Sequence, residues 1–422
     1  MYQKTILNNG LTVITHYMPN RVSVCLGLWI RAGSRYEPAD INGISHFLEH
    51  LVFKGTKKRS CEQIKQSIEG LGGSLNAFTA EELTCYLAKV PQRFAIRSLD
   101  TLSDMVFNSR LDAGDIEMER KVILEEIKMY KDLPGSYVLQ LLTKMLWPNH
   151  PLGANIAGEE ESVNAITKDK LMRYKRRYYR SNNIVLCACG NIRHETLLKA
   201  CGIFNYSRGI EAAKASKARG AQNSPRFSSQ IKDSEQTHLA LAWRSLSRNH
   251  PARFILGLLH IILGANMSSR LFRQVRERRG LAYEIGTSVK LLRDTGAFII
   301  HAGIDNRRIL ETLEVILKQL RLIKKNKVSA AELKRAKEYY IGQLSLNLED
   351  TVEHMLWLGD NFLSLNKFLY LQDAVRRIEK INAGEIQYWA GKILRDQGLN
   401  LALVGPLKDK DKARIKQLAG LK

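Results

Sequence analysis

Short stretches in which apolar and polar residues alternate predict β-strands near the start of the chain. The alternation and the many β-branched residues favour strands at 5–7, 11–17 and 22–30, and two more at 74–80 and 83–90. The Asn-Asn-Gly sequence between the first two is typical of a hairpin turn. The chain is therefore expected to begin with a β-hairpin.

Between these strands the apolar positions change to a helical period. Four apolar residues, spaced three or four apart, would form one buried face: Ile44, Phe47, Leu48 and Leu51. The Asn-Gly pair at 42–43 supplies a turn and a cap before this segment, and Gly55 follows it as a stop. The pattern predicts a short amphipathic helix.

The polar side of this helix carries two histidines and a glutamate. His46 and His50 are four residues apart, and Glu49 shares their face. Two imidazoles so placed can bind one divalent metal, and the glutamate can take a proton from water beside it. The order mirrors the H-E-x-x-H zinc signature. Alone, the motif is weak evidence, because ordinary histidines also fall at this spacing by chance.

A catalytic zinc site needs a third protein ligand, and a second helix offers one. The helical period at 115–127 places Glu119 and Glu126, seven residues apart, on one face. Two carboxylates on a partly apolar face are costly unless a cation lies opposite them. Glu126 is therefore the best candidate for the third ligand.

The second half of the chain repeats the order of the first. Segments 166–190 and 381–405 align without a gap at an offset of 215. Each contains a capping residue, a helix, an Asn-containing turn and a strand that ends in glycine. Strands predicted at 238–243, 283–291 and 296–304 continue the same plan. An unrelated α+β domain would give a similar plan, so the repeat is a hypothesis.

Chain length and local composition predict the domain organisation. A chain of 422 residues exceeds the size at which one hydrophobic core keeps growing, so two or more domains are expected. Few apolar residues lie between 208 and 234, where glycines and an Asn-Ser-Pro turn favour a linker. We predict an N-terminal zinc-binding domain at 1–207, a linker at 208–234 and a homologous C-terminal domain at 235–422.

The formal net charge of +23 is the unusual feature of the composition. Such a balance can attract nucleic acid or anionic membranes through phosphate groups. The basic clusters are scattered across presumed helix ends and tails, however, and they form no aromatic-interleaved motif. A solvated surface is the simpler interpretation, so no specific nucleic-acid partner is expected.

The sequence also suggests a cellular compartment. No basic head followed by an apolar core lies near the N-terminus, and no apolar run approaches the ~20 residues that span a bilayer. The six cysteines include no C-x-x-C pair, and reduced thiols are the simpler interpretation. We expect a cytoplasmic protein without a membrane span.

Three blocks of the chain resemble those of a known family. They are similar, and in the same order, to the hallmark blocks of the zinc peptidases related to pitrilysin, insulin-degrading enzyme and mitochondrial processing peptidase: 46–56 (HFLEHLVFKGT), 72–86 (GGSLNAFTAEELTCY) and 117–126 (EMERKVILEE). The chain resembles a short single-chain member of bacterial type. The resemblance implies an α+β fold of two pseudo-symmetric halves, each an antiparallel sheet backed by helices, which face each other like a clam shell.

The resemblance also implies roles for individual residues of the first half. It assigns His46, His50 and Glu126 as the ligands of one zinc ion per chain, and Glu49 as the general base. It implies that Glu119 supports the site without binding the metal.

Further candidates contact the substrate. The sequence RERRGLAY at 276–283 resembles the family block that contains an arginine and a tyrosine seven residues apart. The resemblance implies that Arg276 and Tyr283 reach the substrate, where tyrosine can donate a hydrogen bond to an oxyanion and arginine can hold a carbonyl or carboxylate. It also implies that Asn76 and Ala77 bind an extended peptide added to the edge of their strand.

These expectations combine into a zinc metalloendopeptidase that cleaves unfolded peptides or presequences. Metal-activated water would attack the peptide bond with Glu49 as the base. Relatives of this length commonly pair two chains, so a homodimer is implied. Two alternatives stay open, a non-catalytic scaffold or partner subunit of a peptidase complex and a charge-driven nucleic-acid binder. Metal content and the salt dependence of DNA binding would separate them.

Overall fold

The computed structural model of the protein describes residues 1–204, 215–218 and 220–421. They form two compact units, each built on one β-sheet. The first unit comprises Met1–Ile127, Ala154–Ser216 and Leu346–Leu369. The second comprises Lys128–Gly153, Lys217–Ser345 and Tyr370–Lys422.

The described strands and helices are as follows in chain order. The strands are β1 (Tyr2–Ile6), β2 (Thr12–Tyr17), β3 (Ser23–Ile30), β4 (Ser74–Thr79), β5 (Thr84–Pro91), β6 (Ile184–Gly190), β7 (Arg226–Ile231), β8 (Gln236–Ser245), β9 (Ala282–Leu291), β10 (Gly296–Asp305) and β11 (Asn400–Gly405). The helices are α1 (Ile44–Val52), α2 (Cys61–Glu69), α3 (Ala95–Asn108), α4 (Ala113–Asp132), α5 (Pro134–Leu146), α6 (Glu160–Asn164), α7 (Lys168–Tyr178), α8 (His194–Ala200), α9 (Arg253–Leu263), α10 (Ile309–Lys325), α11 (Ala330–Asn347), α12 (Thr351–Leu365), α13 (Leu371–Lys380), α14 (Ala383–Ile393) and α15 (Asp409–Leu418).

The first unit has a six-stranded sheet in the order β1-β2-β6-β3-β5-β4. Its neighbours pair antiparallel, except that β2 and β6 run parallel. One face packs against α1, α2, α3 and α7 around a large apolar core. Helix α12 covers the other face, where Trp29 donates a hydrogen bond to Met355 Sδ at 3.2 Å. Gly359 makes room for the indole, since a Cβ there would lie 2.2 Å from its Nε1 atom.

The second unit has a five-stranded sheet in the order β7-β11-β8-β10-β9. Here β7 and β11 run parallel, and the other pairs are antiparallel. Helix α5 packs on β8 and β11 through apolar residues that include Val138 and Leu142. The two halves therefore exchange a helix: α5 comes from the first half of the chain but belongs to the second unit, and α12 belongs to the first.

The internal repeat is visible in both sheets. Helices α7 and α14 begin 215 residues apart, and Thr167 and Asn382 cap them by accepting backbone N–H groups. Five strands of the first sheet, β2-β6-β3-β5-β4, have the order and the directions of the second sheet. The predicted α+β fold with two sheet-plus-helix halves is confirmed. Each sheet is mixed, however, and not wholly antiparallel as expected.

The region predicted as a linker at 208–234 contains regular structure. Residues 205–214 and 219 lie outside the described part of the chain, so the linker prediction is described only in part. Residues 226–231 form strand β7, which pairs in parallel with β11. The pattern of the strand, RFSSQI, is mostly polar and only half-buried, so periodicity gave no signal for it.

Two further features bear on the expectations from the sequence. All six cysteines lie in the described residues and are free. Within the described ranges, no helix combines the length and the apolar character that crossing a bilayer requires.

Candidate metal centre

Helix α1 and helix α4 bring three metal-binding side chains together in the first unit. The apolar face of α1 is buried in the core, which fixes the direction of its histidine face. The rings of His46 and His50 lie with their centroids 4.6 Å apart. Glu126 Oε2, on α4, lies 3.7 Å from the Nε2 atom of each. The described residues contain no other group of three or more histidines, cysteines or carboxylates with such spacing.

The spacing and chemistry of this group fit zinc. Three donor atoms lie within 4.8 Å of one another. A tetrahedral zinc ion with bonds of about 2.0–2.1 Å places its ligand atoms roughly 3.4 Å apart, close to the 3.7 Å observed. Burial and the neighbouring His50 lower the pKa of His46 to about 4, so its imidazole is neutral at neutral pH, as a metal ligand must be. Three protein donors leave one position for water, as in catalytic zinc sites.

Glu119 orients one of the histidines. Its Oε2 atom lies 3.0 Å from His50 Nδ1, on the side of the ring away from Glu126. Lys54 forms an ion pair with the other oxygen of this carboxylate, which is only 5% exposed. The buried carboxylate of Glu119 therefore contacts the ammonium group of Lys54 through one oxygen and the imidazole of His50 through the other. By contrast, His46 Nδ1 is buried and has no hydrogen-bond partner among the described residues.

Glu49 is held beside the metal-binding group by strand β4. Thr79 Oγ1 donates a hydrogen bond of 2.7 Å to Glu49 Oε2. Burial raises the pKa of the Glu49 carboxyl; the Thr79 hydrogen bond and His50 oppose this change, and Glu126 adds to it. A carboxylate with a raised pKa is a better proton acceptor near neutral pH.

Strand β4 is at the edge of its sheet, and α1 packs next to it. Asn76 is exposed there, and its Oδ1 atom accepts the backbone N–H of Ala77 at 2.8 Å. The two candidate substrate residues therefore lie on an open edge, as β-augmentation requires. An added peptide would have to displace the Asn76 side chain to use that N–H group.

The second unit brings Arg276 and Tyr283 together. Arg276 lies in a π-helical turn, Phe272–Glu277, and its guanidinium lies 5.1 Å from the centroid of the Tyr283 ring. In the pairing with β10, Glu284 is opposite Gly303 and Ala282 is opposite Ile304, so Tyr283 is the extra residue of a β-bulge. Its side chain is 76% exposed. Bulges and π-turns often redirect functional side chains. The role of both residues toward substrate stays a prediction.

Two residues of the site were missing from the sequence predictions. Lys54 had a signal, since it lies four residues beyond His50 within the block 46–56. Thr79 had a weaker signal in the sequence, because its hydroxyl reaches Glu49 only when β4 packs against α1.

Two family models match the chain in succession. One, described as insulinase (peptidase family M16), matches residues 12–160, and the other, described as peptidase M16 inactive domain, matches residues 165–340. A protein named uncharacterized zinc protease YmxG, from Bacillus subtilis, is 36% identical over 410 residues, which cover 96% of this chain and 98% of that protein. The chain belongs to peptidase family M16.

Other M16 relatives have similar names. An uncharacterized zinc protease of Mycobacterium tuberculosis is 36% identical over 408 residues, which cover 96% of this chain and 93% of the relative. An uncharacterized zinc protease of Streptomyces coelicolor is 33% identical over 420 residues, which cover 98% of this chain and 91% of the relative. The sequence resemblance to this group of zinc peptidases is therefore confirmed.

Solved structures share the M16 fold. A protease from Helicobacter pylori superposes with a TM-score of 0.91 at 21% identity, covering 96% of this chain and 99% of that chain. A peptidase M16 inactive domain structure from Pseudomonas fluorescens gives a TM-score of 0.88 at 21% identity, covering 96% and 98%. A chain of complex III2 from Candida albicans gives a TM-score of 0.83 at 20% identity, covering 99% of this chain and 99% of that chain.

Proposed function

We propose that this M16 chain is a zinc-dependent endopeptidase that cleaves unfolded peptides or presequences. The observation that carries the proposal is the approach of Glu126 to both His46 and His50, with the Glu49 carboxylate on the same helix face. Names of relatives that include "zinc protease" support the same reaction class.

The residues of the first unit have distinct roles in this proposal. One zinc ion per chain, held by His46, His50 and Glu126, would supply a Lewis acid that polarises the scissile carbonyl and acidifies water. Glu49 takes the proton of the attacking water and passes it to the leaving amine. Thr79 keeps the Glu49 carboxylate in place by its hydrogen bond.

Glu119 has a supporting role. It accepts the Nδ1–H of His50, which leaves the Nε2 lone pair of that ring free for the metal. The charge of Lys54 offsets that of Glu119, so the oriented histidine does not depend on an unpaired buried carboxylate.

Substrate binding would use main-chain groups. An extended peptide added along β4 at Asn76 and Ala77 would lead toward Thr79, which contacts the general base. Main-chain recognition depends little on the sequence of the peptide, so broad specificity for unfolded segments follows. Tyr283 would donate a hydrogen bond to the oxyanion, and Arg276 would hold a substrate carbonyl or carboxylate.

The proposal is tested with a quenched random peptide mixture, whose cut sites are read by mass spectrometry with and without a chelator. Glu49→Gln should bind zinc at wild-type stoichiometry and lose at least about 10²-fold in cleavage. Glu126→Ala should lose both zinc and cleavage. Cleavage by the Glu49→Gln protein at the wild-type rate would refute the role of the base.

A homodimer in the cytoplasm is part of the proposal, and the pairing common among family members of this length supports it. Light scattering of the purified protein would test the dimer.

A non-catalytic partner subunit is the second candidate, because a chain of similar fold comes from complex III2. The complete set of metal-binding and base residues favours the enzyme. Purified protein without about one zinc per chain would favour the subunit.

A further inference from the structure

The helix that carries both histidines begins without a cap of its own. Its N-cap residue is Gly43, with φ at +96° and no side-chain hydrogen bond to the first turn. A Cβ atom at this position would lie 2.6 Å from the carbonyl oxygen of Ala157. Only glycine fits, so no side chain at the N-cap position can satisfy the free N–H groups that begin every helix.

A glutamate six residues earlier takes the place of the missing cap. Glu37 Oε2 accepts the backbone N–H of Gly43 at 2.7 Å, and its Oε1 accepts the N–H of Ser45 at 2.8 Å. Asn42 Nδ2 donates a third hydrogen bond, of 2.9 Å, to Oε2. Both oxygens are thus occupied by the start of α1, and the residue is 5% exposed. A negative charge at this end of a helix also complements its dipole.

The capping carboxylate belongs to a larger buried network. The amide of Asn42 also donates to the carbonyl of Asn155 at 3.0 Å, and Ser45 Oγ lies 2.7 Å from Tyr174 Oη on α7. Burial raises the pKa of Glu37, and its hydrogen bonds to Ser45, Gly43 and Asn42 oppose this change. The first turn of α1 is therefore attached to two other segments through Glu37 and its partners.

We infer that Glu37 is a positioning residue for the metal centre, which sets the start and the rotation of α1 and so the direction of the histidines. Ser45, whose N–H it accepts, directly precedes His46. Bound metal requires ligand atoms to be held within a few tenths of an ångström, and the histidines share one short helix of nine residues. A shift of the first turn would therefore displace both rings. The inference rests on the proposed zinc site.

The test is zinc affinity in variants of the full chain. Glu37→Gln keeps the shape but exchanges one acceptor oxygen for an NH₂ group, which leaves one N–H of the first turn unpaired. Zinc Kd is measured by competition with a chromophoric chelator, after circular dichroism has shown that the metal-free protein is folded. We expect Kd to rise roughly tenfold. Glu37→Asp, which keeps the charge with a shorter reach, should give a smaller rise.

Asp104→Asn is the matched control. Asp104 is also buried, at 3% exposed, and accepts hydrogen bonds from Thr56, Asn108 and Arg59. It contacts none of the proposed ligands. The control should lose stability to urea comparably while its zinc Kd stays within about twofold of the wild type.

The outcomes separate this inference from the proposed function. Wild-type protein that binds no zinc would overturn the metal site itself. Wild-type binding together with a Glu37→Gln Kd within twofold of it would overturn only the role of Glu37. An equal loss of affinity in Asp104→Asn, or failure of both Glu37 variants to fold, would make Glu37 a general stability residue and would also overturn the inference.

Discussion

Replacing Glu119 by glutamine isolates the charge that orients His50. The carboxylate is 5% exposed, lies 3.0 Å from His50 Nδ1 and pairs with Lys54. The glutamine oxygen can still accept the N–H, but without a charge. Hydrogen bonds to charged groups contribute about 1.5–3 kcal/mol and neutral ones about 1 kcal/mol. Zinc binding should therefore weaken by roughly 0.5–2 kcal/mol, which corresponds to about 2- to 30-fold in Kd.

The assay is chelator competition on folded, metal-free protein, so its result does not depend on catalysis. Glu117→Gln provides the matched control on the same helix, since Glu117 is 65% exposed and pairs with Arg120. That control should leave zinc Kd within about twofold of the wild type. If Glu119→Gln and Glu117→Gln bound zinc equally well, the orientation of His50 by Glu119 would have no energetic basis.

Three further predictions concern the base, the start of α1 and the second unit. Thr79→Val removes a donor that stabilises ionised Glu49 and so raises the pKa of that carboxyl. Because the base acts only when ionised, the acid limb of kcat/KM should move to higher pH by about one unit, whereas Thr79→Ser should leave it in place. An unmoved limb in the valine variant would show that the hydrogen bond does not tune the base. Gly43→Ala puts a Cβ 2.6 Å from the Ala157 oxygen at φ +96°, so urea titration should show a loss of ~1–3 kcal/mol in the free energy of unfolding; wild-type stability would contradict the close approach. Tyr283→Phe should leave the free energy of unfolding within about 0.5 kcal/mol of the wild-type value, since the side chain is 76% exposed. The same variant should lower kcat/KM by about 10²-fold. Full activity would exclude its hydroxyl from the reaction.

Much of the candidate site could be predicted from spacing along the chain. His46 and His50 lie four positions apart, and the helical period alone places them on one face. The repeat was also visible, because equivalent segments lie at one constant offset and keep their caps at Thr167 and Asn382. The shared face and the caps depend on neighbours within a few residues, which a sequence displays directly. The repeat is visible because such local patterns recur at a constant offset.

Strand β7 shows why other features escaped prediction. Its residues, Arg226–Ile231, lack the alternation of a half-buried strand, and they form one because β11 offers backbone partners. Glu37 escaped for a related reason. A glutamate in a loop carries no helical signal, yet the chain turns back and places its carboxylate at the first N–H groups of α1.

The sequence by itself determined the order of most elements and the shared face of His46, Glu49 and His50. It suggested the repeat, which the matching strand orders of the two sheets then showed. Only the tertiary structure decided that Glu126 lies 3.7 Å from both histidines, that Lys54 pairs with Glu119, and that α5 and α12 are exchanged between the units. Local periodicity depends on the backbone geometry of one element. A distance between side chains on different helices depends on how the whole core packs, because every buried contact between those helices contributes to it.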